Sequence, residues 1–367
     1  MELKKIERNC GIDLLKVLLA LMVVGLHFNA RATGGVAVAV SERPFTYLVS
    51  IMVALCYPAV NTYVLISGYY SFKYKKSYAA ILYSLVRLWL CLVTYSVAGY
   101  IIVTIVNNEN ISYYNLILRF FPLSRDVWWF MTNYFVMMML SPMINSIIDS
   151  HSRRENFYTL LVAIVVCSVI PFFSQWEDGI GVHYGYSLVW FVVLYYTGAM
   201  LHFIKSPFST GILLGMYLAA TASFIIINYI CGYLPFMEGY HVSMYNSLIV
   251  YLQAIFLFLA FLGLRIEYNH LRTAITFLSG LSLSVYIFHC QEDIGDFIWS
   301  TLKPSQFANS WAIIPLFVVT VLGIYIISIS VELIRKGIGS FRNLETRLIN
   351  VIRNRLLTMF RGENTNS

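Results

Sequence analysis

Ten apolar segments, separated by short polar stretches, dominate this chain of 367 residues. Each is close to the ~17–25 residues that a helix needs to cross the hydrocarbon core of a bilayer. Hydrophobic residues make up 59% of the chain and charged residues 12%, which is too apolar for a water-soluble protein. The sequence therefore predicts an all-α, polytopic membrane protein with ten transmembrane helices. The predicted spans are residues 12–28, 47–67, 79–106, 128–147, 159–174, 186–204, 211–230, 246–264, 273–290 and 311–334.

The distribution of lysine and arginine predicts how these helices are oriented. If the N-terminus is cytoplasmic and ten helices alternate, most basic residues outside the spans fall on the cytoplasmic side, as the positive-inside rule requires. Adding or removing one helix would destroy this asymmetry, so we predict that both termini are cytoplasmic. The net charge of +7 is then explained by topology and by anionic lipid, and no nucleic-acid partner is expected. The basic residues left outside are Arg31, Arg43, Arg119, Arg125 and Lys303.

We expect one membrane domain, residues 1–336, and a cytoplasmic tail, residues 337–367. In the tail, apolar residues recur at helical spacing with arginines between them, which is typical of a basic amphipathic helix on the membrane surface. A cleavable signal peptide is an alternative for the N-terminus, because basic residues precede an apolar run. Asp13 and Lys16 interrupt that run and argue against cleavage.

Three ionisable residues, Asp13, Lys16 and His27, lie in or beside the first apolar segment. At about 100° per residue, they fall within roughly 60° of one helix face, and Lys16 and His27 are about 16 Å apart along the axis. An ionisable group inside a span costs about 2.5–3.5 kcal/mol on insertion scales. An aligned stripe of such groups therefore indicates a functional site that faces a hydrated cavity.

Five short motifs, in order along the chain, resemble those of the acyltransferase 3 family, which comprises ten-helix bacterial membrane proteins that acylate cell-surface glycans. The first motif is the spacing of Asp13, Lys16 and His27 after a basic N-terminus. The residues of these motifs are most similar to those of the family branch that comprises polysaccharide or exopolysaccharide O-acetyltransferases. The other motifs lie at residues 61–69, with a Ser-Gly-aromatic end, 128–134, 194–198 and 284–289, with Tyr-x-x-His.

Two positions depart from the family pattern. The family commonly has arginine where this chain has Lys16, and lysine keeps the charge but lacks the planar fork that grips phosphate at two points. The family's Arg-x-x-Arg on the third span is reduced here to Arg87. These departures bear on donor binding more than on the reaction itself.

The resemblance implies an O-acyltransferase of the bacterial inner membrane. It would take an acyl group, most simply acetyl, from acetyl-CoA or another acyl-CoA, and place it on a hydroxyl of a surface or lipid-linked glycan. The acyl-CoA is a donor substrate, and no tightly bound cofactor is expected. Membrane lipid and glycan-synthesis proteins are the other expected partners.

His27 and Asp13 are the candidates for the catalytic groups. A sugar hydroxyl must lose its proton to attack a thioester, and histidine titrates in a useful range for a base. The alternative for His27 is a structural histidine bonded to a backbone carbonyl. Asp13 either orients a neighbouring cation or forms a simple pair with Lys16.

Lys16, Arg87 and Ser67 are the candidates for donor binding. Lys16 would hold the diphosphate of the donor while the pantetheine arm extends toward His27. Arg87 needs an anionic partner inside the span, either a donor phosphate or a structural carboxylate. Ser67 precedes Gly68, which indicates either a close approach to the donor or, more simply, the end of a helix.

Asn61, Trp129, Tyr134 and His289 are the candidates for substrate binding. Asn61 lies at mid-span and would bond the substrate or a neighbouring helix. Trp129 and Tyr134 would stack on a sugar ring or belong to the interfacial aromatic belt. His289, at the outer end of the ninth span, would bind glycan, exchange protons or simply precede a solvated acidic loop.

No metal site is expected, because the sequence contains neither His-x-x-x-His nor Cys-x-x-Cys. A disulfide between Cys231 and Cys290 has no support from their spacing. Two other functions remain open. A secondary transporter or flippase for a glycan intermediate would also need intramembrane charges and a wet cavity. A degenerate family member could serve as a partner in a glycan-synthesis complex.

Overall fold

In the computed structural model, residues 8–30, 32–174, 181–233, 242–338 and 347 are described, and all regular secondary structure among them is helical. The first eight α-helices are α1 Cys10–Asn29, α2 Val36–Ala39, α3 Arg43–Cys56, α4 Ala59–Tyr74, α5 Tyr78–Val106, α6 Tyr113–Leu118, α7 Trp129–Ser150 and α8 Arg153–Ile164. The next eight are α9 Ile170–Ser174, α10 Leu188–Leu201, α11 Thr210–Tyr233, α12 Leu248–Leu262, α13 Asn269–Ser279, α14 Ser282–His289, α15 Glu292–Leu302 and α16 Ile313–Gly337. A π-helical turn, Val165–Val169, joins α8 to α9, and two 3₁₀ turns cover His183–Gly185 and Pro304–Phe307.

Eight stretches of the described residues are long and apolar enough to cross a membrane, and they coincide with eight of the predicted spans. The other two predicted spans, 186–204 and 246–264, correspond to α10 and α12, which have 14 and 15 residues. At ~1.5 Å per residue, these two helices are shorter than the ~30 Å hydrocarbon core. The all-α, multi-pass fold is therefore confirmed, whereas ten crossings and two cytoplasmic termini stay predictions.

Helix α1 lies at the centre of the bundle, where it contacts α3, α4, α12, α13, α14 and α16. Asn9 caps its N-terminus by accepting a hydrogen bond from the backbone N–H of Ile12 at 3.0 Å. Gly11 permits a close helix contact, since an added Cβ would lie 2.1 Å from the carbonyl oxygen of Phe261. Because other helices surround α1, more than half of its residues are buried inside the bundle.

Helices α4 and α10 pack backbone to backbone through two glycines. A Cβ added at Gly68 would lie 2.1 Å from the carbonyl oxygen of Tyr195. A Cβ added at Gly198 would lie 2.2 Å from the carbonyl oxygen of Leu65. Small residues allow this close approach between apolar helices. The expected helix end at Gly68 is wrong, because α4 continues to Tyr74.

The ninth predicted span is broken into α13 and α14, and α14 ends at His289. The following helix, α15, is fixed by two ion pairs of Arg119, at 2.5 Å to Glu292 and 2.7 Å to Asp293. Two of the acids that follow His289, Glu292 and Asp293, are therefore paired with arginine rather than only solvated. This pairing holds the chain on the C-terminal side of residues 289–291.

The predicted amphipathic tail, 337–367, lies outside the described residues except for 337, 338 and 347, and it stays a prediction together with the domain boundary. Cys231 and Cys290 are both described and have reduced thiols, so no disulfide joins them.

Candidate active site

The imidazoles of His27 and His289 are in direct contact. Nδ1 of His27, near the end of α1, lies 2.8 Å from Nε2 of His289, at the end of α14. The ring centroids are 4.9 Å apart. His289 is buried, with 1% of its surface exposed, whereas His27 is half-buried. His27 is therefore the member of the pair that a substrate can reach.

The hydrogen-bond partners fix the tautomers of both rings. Nδ1 of His289 lies against the carbonyl oxygen of Val285, so it carries a proton and donates. Nε2 of His289 must then accept, and Nδ1–H of His27 is the donor. This assignment leaves a lone pair on Nε2 of His27. A neutral imidazole held in this way is suited to act as a general base.

Cys290 lies beside both rings. Its Sγ is 3.3 Å from Nδ1 of His27 and 3.4 Å from Nε2 of His289. The expectation that this protein lacks a metal site rested on local motifs alone. The fold brings these three side chains together, with His27 on α1 and the adjacent His289 and Cys290 at the end of α14.

His27 lines a cavity of about 370 Å³ whose walls combine aliphatic and aromatic side chains. Trp129 lies in this wall, with its ring centroid 4.5 Å from that of Tyr186 and 5.7 Å from that of Tyr245. Flat rings and phenolic hydroxyls suit the apolar faces and hydroxyls of a sugar. We call this the acceptor cavity, and its aromatic lining residues are Tyr57, Tyr63, Trp129, Phe130, Tyr186, Tyr245 and Tyr286.

A second cavity, of about 440 Å³, lies at the other end of α1 and contains four of the predicted site residues, Asp13, Lys16, Ser67 and Tyr134. Arg8 and Lys76 also line it. Ser67 donates its hydroxyl hydrogen to the carbonyl oxygen of Tyr63 at 3.0 Å. We call this the Lys16 cavity.

Asp13 anchors the basic residues of the Lys16 cavity. Its carboxylate lies 2.5 Å from Nε of Arg8 and 3.6 Å from Nζ of Lys16, and it accepts a hydrogen bond from Ser279 at 2.9 Å. The Asp13 side chain is 3% exposed, whereas those of Lys16 and Arg8 are 34% and 52% exposed. Asp13 therefore positions two cations that remain accessible to a ligand, and it has no contact with His27.

Three aromatic rings stand between the two cavities. Phe130 lines the acceptor cavity, and its ring is nearly parallel to that of Tyr134 in the Lys16 cavity, with centroids 6.0 Å apart. Tyr63 lies 6.5 Å from Phe130 and donates to the backbone oxygen of Lys16 at 2.9 Å. We call Tyr63, Phe130 and Tyr134 the aromatic partition.

The remaining predicted site residues lie elsewhere. The amide of Asn61 is fully buried and is used in helix packing, since it donates to Tyr245 O at 2.7 Å and accepts from the Trp190 indole at 3.2 Å. Arg87 is exposed on α5 and lines neither cavity. His289 contacts His27 instead of the cavity itself.

A third cavity, of about 670 Å³, adjoins the Lys16 cavity and shares Arg8, Asn9 and Tyr70 with it. Lys73, Arg265 and Arg272 add basic charge to its lining. The sequence alone does not distinguish these three residues, because it shows them only as ordinary basic residues between spans. Only their convergence near Arg8 distinguishes them.

A family model described as an acyltransferase domain, that of the acyltransferase 3 family, matches residues 9–329. No curated protein matches the chain, and no solved structure does. The matched range includes Lys16, His27 and His289.

Proposed function

This chain belongs to the acyltransferase 3 family and is a multi-pass membrane acyltransferase, and we propose that it moves an acyl group from acyl-CoA to a hydroxyl of a surface or lipid-linked glycan. The acyl group is most simply acetyl. The observation that carries this proposal is the hydrogen-bonded His27–His289 pair at the wall of the acceptor cavity.

His27 is the general base of the proposed reaction. Its Nε2 takes the proton of the acceptor hydroxyl as the hydroxyl oxygen attacks the thioester carbonyl carbon. The C–S bond then breaks, and the leaving thiolate of CoA takes the proton from the imidazolium. His289 accepts the Nδ1–H of His27 throughout, which orients the ring and stabilises its positive charge.

The acceptor cavity binds the glycan in this scheme. Trp129 stacks on a sugar face, and the tyrosine hydroxyls bond the sugar's polar groups. The cavity volume of about 370 Å³ supports entry of one or two sugar rings rather than a long chain.

The Lys16 cavity binds the donor. Lys16 and Arg8 face the diphosphate, and Lys73, Arg265 and Arg272 of the adjoining cavity face the remaining phosphate and adenosine. The pantetheine arm then extends ~16 Å along α1 to bring the thioester to His27. The aromatic partition must open for this arm to pass.

The predicted topology places the donor side in the cytoplasm, where acyl-CoA is made, and the acceptor cavity nearer the outer face. We propose a bacterial inner-membrane location and cooperation with glycan-synthesis proteins on this basis.

The test compares a deletion strain complemented with the wild type or with an empty vector. We expect O-acyl groups on the surface glycan to disappear without the protein, and labelled acetyl-CoA to donate its acetyl group in membrane vesicles that contain it. Unchanged acyl content per sugar in the deletion strain would contradict the proposal. If glycan export fell at the same time, the transporter alternative would replace it.

A further inference from the structure

We infer that His27, His289 and Cys290 form a binding site for a zinc-like divalent cation, and that the bound ion switches acyl transfer off. The geometry and the ligand chemistry of these three side chains support the binding site. The switching effect rests on the proposed function of His27 as the base.

The three ligand atoms form a compact triangle. Nδ1 of His27 and Nε2 of His289 are 2.8 Å apart, and Sγ of Cys290 lies 3.3 and 3.4 Å from them. In a tetrahedral zinc site, Zn–N is ~2.0–2.1 Å and Zn–S ~2.3 Å, which separates two nitrogens by about 3.3 Å and a nitrogen from the sulfur by about 3.5 Å. Shifts of about half an ångström or less would therefore convert the triangle into one face of a zinc tetrahedron.

The chemistry of the ligand set also favours zinc. Two imidazoles and one thiolate are borderline-soft ligands that suit this ion, and they leave a fourth position for water. The second nitrogen of His289 donates to the carbonyl oxygen of Val285, which is the outer-shell contact that usually orients a metal-binding histidine. Within the described residues, this is the one group of His, Cys, Asp or Glu side chains close enough together to hold an ion.

Ion binding changes the protons of the cluster in a defined way. Cys290 loses its thiol proton to solvent as the Zn–S bond forms, so one proton is released for each ion bound. His289 keeps its tautomer, because its Nε2 is already the unprotonated nitrogen. His27 must bind through Nδ1, which moves its proton to Nε2.

This tautomer change disables the base. With a proton on Nε2, His27 has no lone pair for the acceptor hydroxyl, and its hydrogen bond to His289 is replaced by the ion. His27 is the member of the cluster that lines the acceptor cavity. The ion therefore acts through His27, and it does not itself touch the sugar.

Cobalt reports on the site directly. Full-length protein purified in detergent is titrated with Co²⁺, and we expect thiolate-to-cobalt absorption at one ion per chain, abolished by excess Zn²⁺. Cys290→Ser should remove this absorption and weaken Zn²⁺ binding by more than the roughly 10–100-fold that loss of an outer-shell partner costs, because it removes a direct ligand. Cys10→Ser, at the far end of α1, is the matched control and should bind like the wild type. Absence of the absorption in the wild type, or its persistence in Cys290→Ser, would overturn the site.

Zinc inhibition is measured separately in membrane vesicles. We expect Zn²⁺ to stop acyl transfer by the wild type and a chelator to restore it. Cys290→Ser should transfer normally without Zn²⁺ and need at least about tenfold more Zn²⁺ for inhibition. A chelator that lowers the wild-type rate, or equal inhibition of both proteins, would overturn the switch. If the cobalt site forms but neither the wild type nor Cys290→Ser transfers acetyl, the proposed function fails and the metal site stands.

Discussion

Nδ1 of His27 lies 2.8 Å from Nε2 of His289, although 262 residues separate them in the chain. The contact joins the end of α1 to the end of α14, and a carbonyl oxygen of α14 fixes the proton on the far side of His289. His27 is therefore oriented by a buried partner and presents its second nitrogen to a cavity. The following predictions depend on this arrangement and on the basic cavity at the other end of α1.

His289→Ala should lower kcat for acyl transfer by about 10–100-fold with little change in KM, because the His27 ring loses its orienting acceptor. The double variant His27→Ala/His289→Ala should be no slower than His27→Ala alone, since His289 acts only through His27. If the fold-losses in rate of the two single variants multiply in the double variant, His289 has a role that is independent of His27.

Lys16→Met should raise KM for acyl-CoA by about tenfold or more while kcat changes little, because a charge-assisted phosphate contact is lost. Lys16→Arg should retain most of the affinity, since it keeps the charge in the half-exposed position. Steady-state kinetics in vesicles over a range of acetyl-CoA concentrations measures both. Equal KM values for acyl-CoA in Lys16→Met and the wild type would contradict a role for Lys16 in donor binding.

Asp13→Asn should destabilise the protein by roughly 1–3 kcal/mol, because the buried carboxylate holds Arg8, Lys16 and Ser279 together. Thermal unfolding in detergent measures this loss. Since Asp13 positions cations and does not contact His27, kcat at saturating donor should fall less than about tenfold. A loss of 10²-fold or more in kcat, with unchanged unfolding, would instead support the catalytic role first assigned to Asp13.

Trp129→Leu should raise KM for the glycan acceptor by several-fold, because Trp129 forms part of the acceptor cavity wall. Trp311→Leu is the matched control, since Trp311 is 67% exposed and lies away from this cavity. Acceptor titration at fixed acetyl-CoA compares the two. The same KM for the acceptor in both variants would support the alternative, in which Trp129 belongs to the interfacial aromatic belt and does not bind the sugar.

Gly68→Ala should destabilise the fold by about 1–3 kcal/mol or more, because an added methyl group would lie 2.1 Å from a backbone oxygen of α10. Gly215→Ala is the control within an apolar helix, since nothing lies within 4 Å of its added Cβ. This control should be neutral or slightly stabilising. Equal melting temperatures for the two variants would contradict the packing of α4 on α10.

Most of the fold could be predicted from the sequence, because a bilayer demands long apolar helices and the chain displays them directly. The exceptions are physically understandable. Helices α10 and α12 are short, and α10 is buried by neighbouring helices along most of its length. The helix end placed at Gly68 was wrong because glycine there serves contact with Tyr195, a long-range feature that local sequence does not reveal.

The site was predicted only in part. His27 and Lys16 stood out because ionisable residues are costly inside a span, and the structure gives each of them a cavity. The roles assigned to them stay predictions. The contact of His27 with His289 and Cys290 could not be predicted, because 262 positions separate His27 from His289 and only the fold brings them together. Asn61 was chosen for its polarity, but helix packing uses both ends of its amide.

The most direct test of the central claim is the rate of acetyl transfer by His27→Ala in membrane vesicles, with and without added imidazole. The general-base role predicts a 10²–10⁴-fold lower rate than the wild type, partly restored by free imidazole that enters the emptied position. A matched His202→Ala variant, whose histidine lies outside both the acceptor and Lys16 cavities, should retain the wild-type rate. Wild-type transfer by His27→Ala would contradict the account.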